Sequence, residues 1–176
     1  MKKLTLILSL TILAFSACDK IDDLNTKTIK DVEISETVLI EADVIKSAKV
    51  KSSNTEVSFS KTLTLGLSNI SEIKNYLSHL ENMDIKSFTC KISDIGEGLI
   101  SEFRVSIPEL EYSLNISTIE INKALKVSFT SEQLKEISNS LLRDKSLEII
   151  LSGTVEQAEN FSIKTTALAD IEVEIL

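Results

Sequence analysis

The sequence predicts a mainly β domain: a single-domain β-sandwich of about nine strands with two short helices. Three observations predict it, namely several runs of alternating apolar and polar residues, two helix signals between them, and an approximate repetition of this order. A chain of 176 residues can build one domain with a sizeable core but not two large domains. The alternative is an α+β fold with helices on one face of an antiparallel sheet.

The longest alternating run shows the repetition most clearly. Apolar residues occupy every second position between residues 57 and 67, which is the pattern of a strand with one buried face. The same alternation returns over residues 119–129, and Lys61 and Lys123 interrupt the two series at the same step. We therefore predict an internal duplication, with repeat halves of about 48–108 and 110–176 related by a pseudo-twofold axis.

A helix signal follows each of these long strands. Asn69 and Glu72 have the spacing of a capping box, in which two residues three apart satisfy each other's free amides at a helix start. Thr130 and Gln133 repeat that spacing in the second half. The apolar positions that we expect to be buried are Ile70, Ile73, Leu77 and Leu80 in the first helix and Leu134, Ile137 and Leu141 in the second.

The remaining strands are predicted from shorter alternating runs. Each half continues with two of them, at residues 88–92 and 99–107 and at residues 147–155 and 161–173. A further strand is predicted at residues 37–46, and a weak shared pattern relates Ala48 and Val50 to Leu110 and Tyr112. Because these strands alternate instead of being apolar throughout, we expect antiparallel pairing and not parallel crossovers.

The first eighteen residues have the order of an export signal. Lys2 and Lys3 precede an apolar run over residues 4–15, which is followed by small residues and then by Cys18. Twelve helical residues cover roughly 18 Å, well short of a ~30 Å hydrocarbon core. The segment therefore predicts a secretory signal peptide and not a permanent membrane span.

The residues Phe15-Ser16-Ala17-Cys18 resemble the lipobox of bacterial lipoproteins, although the usual first residue of that motif is leucine. The resemblance implies that a diacylglyceryl group is attached to the Cys18 thiol and that residues 1–17 are removed as a lipoprotein signal peptide. Two or more acyl chains hold a protein almost permanently on a bilayer. An ordinary signal peptide with an incidental cysteine is the alternative.

The stretch after Cys18 is strongly charged. The acidic cluster within residues 19–23 resembles the export signals of Bacteroides- and Flavobacterium-type surface lipoproteins, whereas Asp19 also resembles an inner-membrane retention signal of enteric bacteria. The charged residues 18–36 predict a solvated tether, followed by a β-rich domain over residues 37–176. We expect a lipid-anchored protein of the bacterial outer membrane, either surface-exposed or facing the periplasm.

Composition and motifs exclude several function classes. The chain has 19 Lys+Arg, 27 Asp+Glu and a net charge of −8, so it lacks the basic surface that nucleic-acid binding requires. One histidine and two cysteines are too few for a zinc site. The glycine pair at Gly96 and Gly98 lacks the third glycine of a nucleotide-binding loop. Cys90 alternates with apolar neighbours, so we expect it in the core.

Lys61 and Lys123 are the candidate functional residues of the folded part. Two cations related by a pseudo-twofold axis are suited to receive an anionic ligand. The alternative is that each inward charge protects an exposed strand edge from pairing. The carboxylate pairs Glu109/Glu111 and Glu172/Glu174 predict solvated strand faces, and His79 is expected to be half-exposed.

These observations predict a membrane-anchored, non-enzymatic lipoprotein of the cell envelope that serves as a binding or structural module. Its expected partners are the lipid bilayer, through the anchor, and an unknown envelope protein or glycan. No cofactor or metal is expected apart from the covalent lipid on Cys18. The alternative is a carrier or sensor of a small apolar ligand. A hydrolase that uses two carboxylates is the least favoured hypothesis, because no paired acid–base spacing is found.

Overall fold

The computed structural model describes residues 25–41, 56–96, 100–156 and 160–175. These residues form eight β-strands, one α-helix and two three-residue 3-10 helices. The strands are β1 (Thr26–Ile40), β2 (Val57–Gly66), β3 (Leu80–Ser93), β4 (Ile100–Ile107), β5 (Tyr112–Asn115), β6 (Ala124–Lys126), β7 (Ser146–Val155) and β8 (Phe161–Glu174). The helix α1 spans Ser131–Asp144, and the 3-10 helices span Lys74–Tyr76 and Pro108–Leu110.

The strands form two four-stranded antiparallel sheets. The first, here the β1 sheet, has the order β1-β8-β3-β6, and the second, the β2 sheet, has the order β2-β7-β4-β5. Because two sheets are present, the predicted mainly β sandwich is confirmed at this level, and the single-sheet α+β alternative is wrong. Eight strands are described; the predicted ninth, near Ala48 and Val50, lies outside the described residues.

The core fills the space between the sheets. One face of each strand contributes buried apolar side chains, and these form a single cluster. Phe59 of β2 packs edge-on against Phe161 of β8, with ring centroids 5.3 Å apart, and so links the two sheets. Cys90 is fully buried in this core, as its alternation predicts.

Strand β1 begins at Thr26, within the predicted tether and eleven residues before the predicted strand start at residue 37. Residues 26–36, which the sequence predicts as part of a solvated tether, belong to this strand and pair with β8. A β-bulge near Asp31, whose φ is 54°, shifts the register between Ile29 and Val32. The bulge changes which face each later residue occupies. The alternation of apolar and polar residues is therefore interrupted, and the many charged residues of this segment make it resemble a tether.

The first predicted helix is wrong, and the second is confirmed. Residues 67–79 form successive turns with only the short 3-10 helix, and no side-chain cap bond forms at its start. Strand β3 begins at Leu80, which the sequence places in the helix, although Ile70 and Ile73 are buried as predicted. In α1, Thr130 Oγ1 accepts from Gln133 N at 3.2 Å and Gln133 Oε1 accepts from Thr130 N at 2.9 Å.

The predicted long strand at residues 119–129 is also shorter than expected. Only β6, with three residues, pairs with β3. Asn122 adopts a left-handed conformation with φ 62° and donates its N–H to Ile92 O. That turn ends the extended conformation before Ala124, so the first half of the alternating run is a loop.

The strand orders of the two sheets correspond to each other. The predicted repeat matches β2 with β6, β3 with β7, and β4 with β8; with β1 matched to β5, it converts one sheet order into the other. The ladder registers agree as well, because Leu63 lies opposite Ile149 in one sheet and Leu125 lies opposite Cys90 in the other. The main difference is length, since β2 has ten residues and β6 three.

Candidate functional site

The first and last described residues lie at the same end of the sandwich. Thr26 pairs with Glu174, and Ile175 N donates to Asn25 O at 2.6 Å, so the first and last described residues lie together. Strand β8 has fourteen residues and extends about 45 Å at ~3.3 Å per residue. It begins at Phe161, at the opposite end, and ends here at Glu174. The other end of the sandwich therefore lies far from the beginning of β1.

A groove of about 670 Å³, here the helix groove, lies between α1 and the β1 sheet. It opens where the short β6 leaves the first half of β3 without a neighbouring strand, and α1 packs there instead. Ser138 Oγ of α1 accepts from Ile85 N at 3.4 Å and donates to Leu134 O at 2.9 Å. The groove is lined by polar side chains that include Asp84, Lys86, Ser131, Lys135, Asp170 and Glu172.

The charges of the helix groove are partly neutralised by one another. Lys86 Nζ lies 2.7 Å from Asp170 Oδ1 and 3.1 Å from Asp31 Oδ1, and Asp31 N donates to Asp170 Oδ1 at 2.9 Å. The hydrogen bond from Lys86, with that from Asp31 N, holds the pKa of Asp170 below its ordinary value. The same two carboxylates raise the pKa of Lys86. This cluster fixes the bulge of β1 against β8.

A second groove of about 370 Å³, here the sheet groove, lies on the outer face of the β2 sheet. The outer face is identified by alternation, because Phe59 and Phe103 are buried while Ser58 and Glu102 are exposed. The groove lies at the end of the sandwich where β7 ends and β4 begins. This end is far from Thr26, because Phe59 contacts Phe161 at the opposite end of β8 from the Thr26–Glu174 pair. Its polar lining includes Ser58, Glu102, Arg104, Asn115, Ser152 and Thr154.

The polar groups of the sheet groove have free hydrogen-bonding capacity. Arg104 Nε donates to Asn115 Oδ1 at 2.8 Å, which leaves its terminal N–H groups for other acceptors. Glu102, two residues earlier on the same face, has no side-chain hydrogen bond or ion pair among the described residues. The groove therefore presents one cation, one anion and several hydroxyls, with no net charge.

Gly153 lies beneath this groove. It pairs with Phe59 on one side and Phe103 on the other, and the two rings stack with centroids 6.5 Å apart. A Cβ atom at this position would lie 2.3 Å from Glu102 O and 2.8 Å from the Phe59 ring. A glycine is therefore required for β4, β7 and the Phe59 ring to approach one another.

The structure separates the two candidate lysines. Lys61 belongs to the inward-facing series of β2 and is half-buried on an edge strand. Lys123 is exposed just before β6 and forms an ion pair with Glu120. β2 and β6 are edge strands of different sheets, and β1, which packs beside β2, lies at the opposite edge of its sheet from β6. The two cations do not share one site. Cys18 lies outside the described residues.

Two other reactive side chains have structural positions. Burial raises the pKa of the Cys90 thiol to about 12, and its Sγ lies 3.7 Å from Thr165 Oγ1. His79 is half-exposed, as its sequence position predicts, and its Nδ1 lies 3.7 Å from Glu174 Oε2. In the described part of the chain no cluster of three His, Cys, Asp or Glu side chains is placed to hold a metal ion. No helix there is long and apolar enough to cross a bilayer.

Sequence reasoning missed the residues of both grooves. Glu102 and Arg104 alternate with buried Phe103 and Val105, so the sequence places them on an exposed strand face. Their neighbours on β5 belong to the next strand along the chain, whereas those on β7 are distant in sequence. The one available signal was an acid and a base two residues apart on the same face.

No protein-family model and no curated protein matches the chain. Among solved structures it is similar to the BFDV capsid protein, whose decameric form has a TM-score of 0.38, 11% identity, and coverage of 83% of this chain and 99% of that one. The 60-mer form has a TM-score of 0.39 and 9% identity, and the match covers 86% of this chain and 96% of that one. A structure of carbohydrate-binding modules of the β-sandwich superfamily has a TM-score of 0.31 and 10% identity. The match covers 82% of this chain and 56% of that one. These scores are too low to bear on function.

Proposed function

We propose that the chain is a lipoprotein of the bacterial cell envelope, anchored through an acylated Cys18, and that its β-sandwich is a non-enzymatic binding module. The lipobox-like residues before Cys18 support the anchor. The most reactive side-chain type in the described domain, the thiol of Cys90, is buried with its pKa raised to about 12, which argues against its use as a nucleophile. Binding is the activity that the grooves support best.

The position of the chain ends carries the proposal. Cys18 precedes Asn25 by seven residues, which reach at most about 25 Å. Asn25 O accepts a hydrogen bond from Ile175 N, which directly follows the C-terminal end of β8. A lipid on Cys18 thus holds that end of the sandwich close to the bilayer. The opposite end, with the sheet groove, faces away from the membrane.

The cavities favour a polar ligand over the alternative of an apolar one. Both large grooves are open to solvent and are lined with charged residues and hydroxyls. The space between the sheets is occupied by fully buried rings, among them Phe88, Phe103 and Phe161. A carrier of an apolar ligand would need an enclosed apolar cavity.

We also propose that the two halves arose by internal duplication. The corresponding sheet orders and the matching positions of Leu63 and Leu125 in their ladders support this origin. After duplication, shortening of the second long strand to β6 and growth of α1 would have opened the helix groove. The duplication thereby explains why the helix groove exists on one sheet only.

The anchor is tested with the two cysteines of the chain. In cells that produce Cys18→Ala, we expect the protein to leave the membrane fraction, because the acyl chains provide the hydrophobic attachment. Cys90→Ala is the matched control and is expected to remain membrane-bound, since Cys90 is a core residue. Retention of the Cys18→Ala protein in the membrane would contradict the proposal. Protease accessibility of intact cells then shows whether the domain faces outward.

A further inference from the structure

We propose that the sheet groove binds a neutral, hydroxyl-rich ligand, namely the uncharged sugar units of an oligosaccharide. The inference rests on the proposed binding function and specifies its ligand class. The groove lies on the outer face of the β2 sheet, far from Thr26 and from the anchor that precedes it. A ligand from outside the membrane therefore reaches it without obstruction by the bilayer.

The chemistry of the lining favours neutral hydroxyl groups. Sugar hydroxyls both donate and accept hydrogen bonds, and the groove offers matching groups of both kinds. Glu102 provides an acceptor, Arg104 provides donors, and the hydroxyls of Ser152 and Thr154 provide both. An acid and a base on one strand face that do not form an ion pair with each other are suited to bind neighbouring hydroxyls of one sugar ring.

The charge of the groove disfavours ionic ligands. Glu102 repels anions that approach Arg104, and Arg104 repels cations that approach Glu102, because they lie two residues apart on one face. The helix groove differs, since Lys86 already satisfies the Asp170 carboxylate there. In the sheet groove, by contrast, Glu102 and the terminal N–H groups of Arg104 are not paired with each other.

The structure also predicts that this binding is weak. The rings of Phe59 and Phe103 are buried beneath Gly153, so they offer no exposed surface on which a sugar ring can stack. Hydrogen bonds exposed to water contribute little net affinity each. We expect a Kd of about 1 mM for one oligosaccharide bound to one copy of the protein. Firm attachment to a polysaccharide would therefore require several copies of the protein.

Saturation-transfer NMR on the full chain in phosphatidylcholine vesicles tests the proposal. The probes are four neutral hexasaccharides (maltohexaose, cellohexaose, xylohexaose and chitohexaose) and the anionic hexagalacturonate, with protein-free vesicles as the blank. We expect at least one neutral hexasaccharide to bind saturably and Arg104→Met to weaken it by about tenfold. Glu102→Gln is expected to weaken it by a smaller factor, because the amide retains one acceptor oxygen.

Matched substitutions in the helix groove, Lys135→Met and Glu172→Gln, are expected to change the Kd by less than about twofold. The proposal is overturned if no neutral hexasaccharide saturates at about 10 mM, if only hexagalacturonate binds, or if Arg104→Met has no effect. Sedimentation of the same vesicles reports the anchor separately. Sugar binding by protein that does not sediment would contradict the anchor alone, and sedimentation without sugar binding would contradict the ligand assignment alone.

Discussion

The edges of the two sheets formed by β2 and by β6 are covered in different ways. In the β2 sheet, β2 pairs with β7 along all ten of its residues. In the β1 sheet, the corresponding β6 pairs with only three residues of β3, and α1 covers the remaining edge through contacts such as Ser138 with Ile85 N. A complete ladder needs no helix beside it, whereas an incomplete one does. Turns therefore follow β2, whereas a full helix follows β6.

The largest expected effect comes from removing a buried contact of α1. Leu141 is fully buried, so Leu141→Ala should lower the free energy of unfolding by about 3 kcal/mol through lost burial and a cavity. The neighbouring Leu142 is only half-buried, and Leu142→Ala should cost clearly less. Urea denaturation followed by circular dichroism measures both. Equal effects would show that α1 does not close the edge of β3 in the way described.

The β2 side is tested at its two glycines. Gly153→Ala places a Cβ against Glu102 O and the Phe59 ring, so we expect a loss of about 2 kcal/mol from overpacking. Gly66→Ala is the control, because its nearest neighbour, Ser68 Oγ, would lie 4.0 Å away. We expect that control to be neutral or slightly stabilising. An unchanged unfolding midpoint for Gly153→Ala would contradict the close approach of β4 and β7.

The two predicted capping boxes differ in the structure and should differ in energy. Thr130→Ala removes the acceptor for Gln133 N and should cost about 1 kcal/mol. Asn69→Ala should cost almost nothing, because the segment after β2 has no side-chain cap. The comparison uses the same denaturation measurement. A substantial loss for Asn69→Ala would instead favour a helix in both halves.

The smallest effect is the pH dependence of the Asp31–Lys86–Asp170 cluster. Because the pKa of Asp170 is lowered from 3.8 by its hydrogen bond from Lys86, its contribution to stability is present above about pH 4 and is lost as the pH falls further. The difference in stability between the natural chain and Asp170→Asn should therefore shrink between pH 6 and pH 2. In a Lys86→Met background that pH dependence should be weaker. A constant difference across this range would contradict the ion pair.

The sequence predicts the features that depend on local pattern. Alternation in β2 and β7 gives their buried faces, and the Thr130–Gln133 spacing gives the start of α1, because neighbouring residues determine both. The first helix does not form, because residues 67–79 adopt turns and a short 3-10 helix in the folded chain, and this tertiary arrangement overrides the local propensity. The start of β1 is hidden by the bulge at Asp31, which changes the phase of the alternation.

The candidate site is harder to predict than the strands. Lys61 and Lys123 are equivalent in the sequence repeat, yet only Lys61 lies on an inward face, because a turn at Asn122 precedes β6. The sheet groove is assembled from β4, β5 and β7, and its composition depends on which strands pair. Strand order is a long-range property that a repeat does not specify. Arg104 and Ser152 therefore become neighbours only in the folded chain.

Intact-mass spectrometry of the chain purified from cell membranes tests the proposed anchoring most directly. Cleavage before Cys18 with lipid attachment predicts a polypeptide that starts at Cys18 and carries the added mass of a diacylglyceryl group, with or without a further acyl chain. Gentle hydrolysis of the ester bonds should then remove the mass of the two ester-linked acyl chains and leave the glyceryl thioether on Cys18. A mature chain that starts at another residue, or that carries an unmodified thiol at Cys18, would contradict a lipid-anchored binding module.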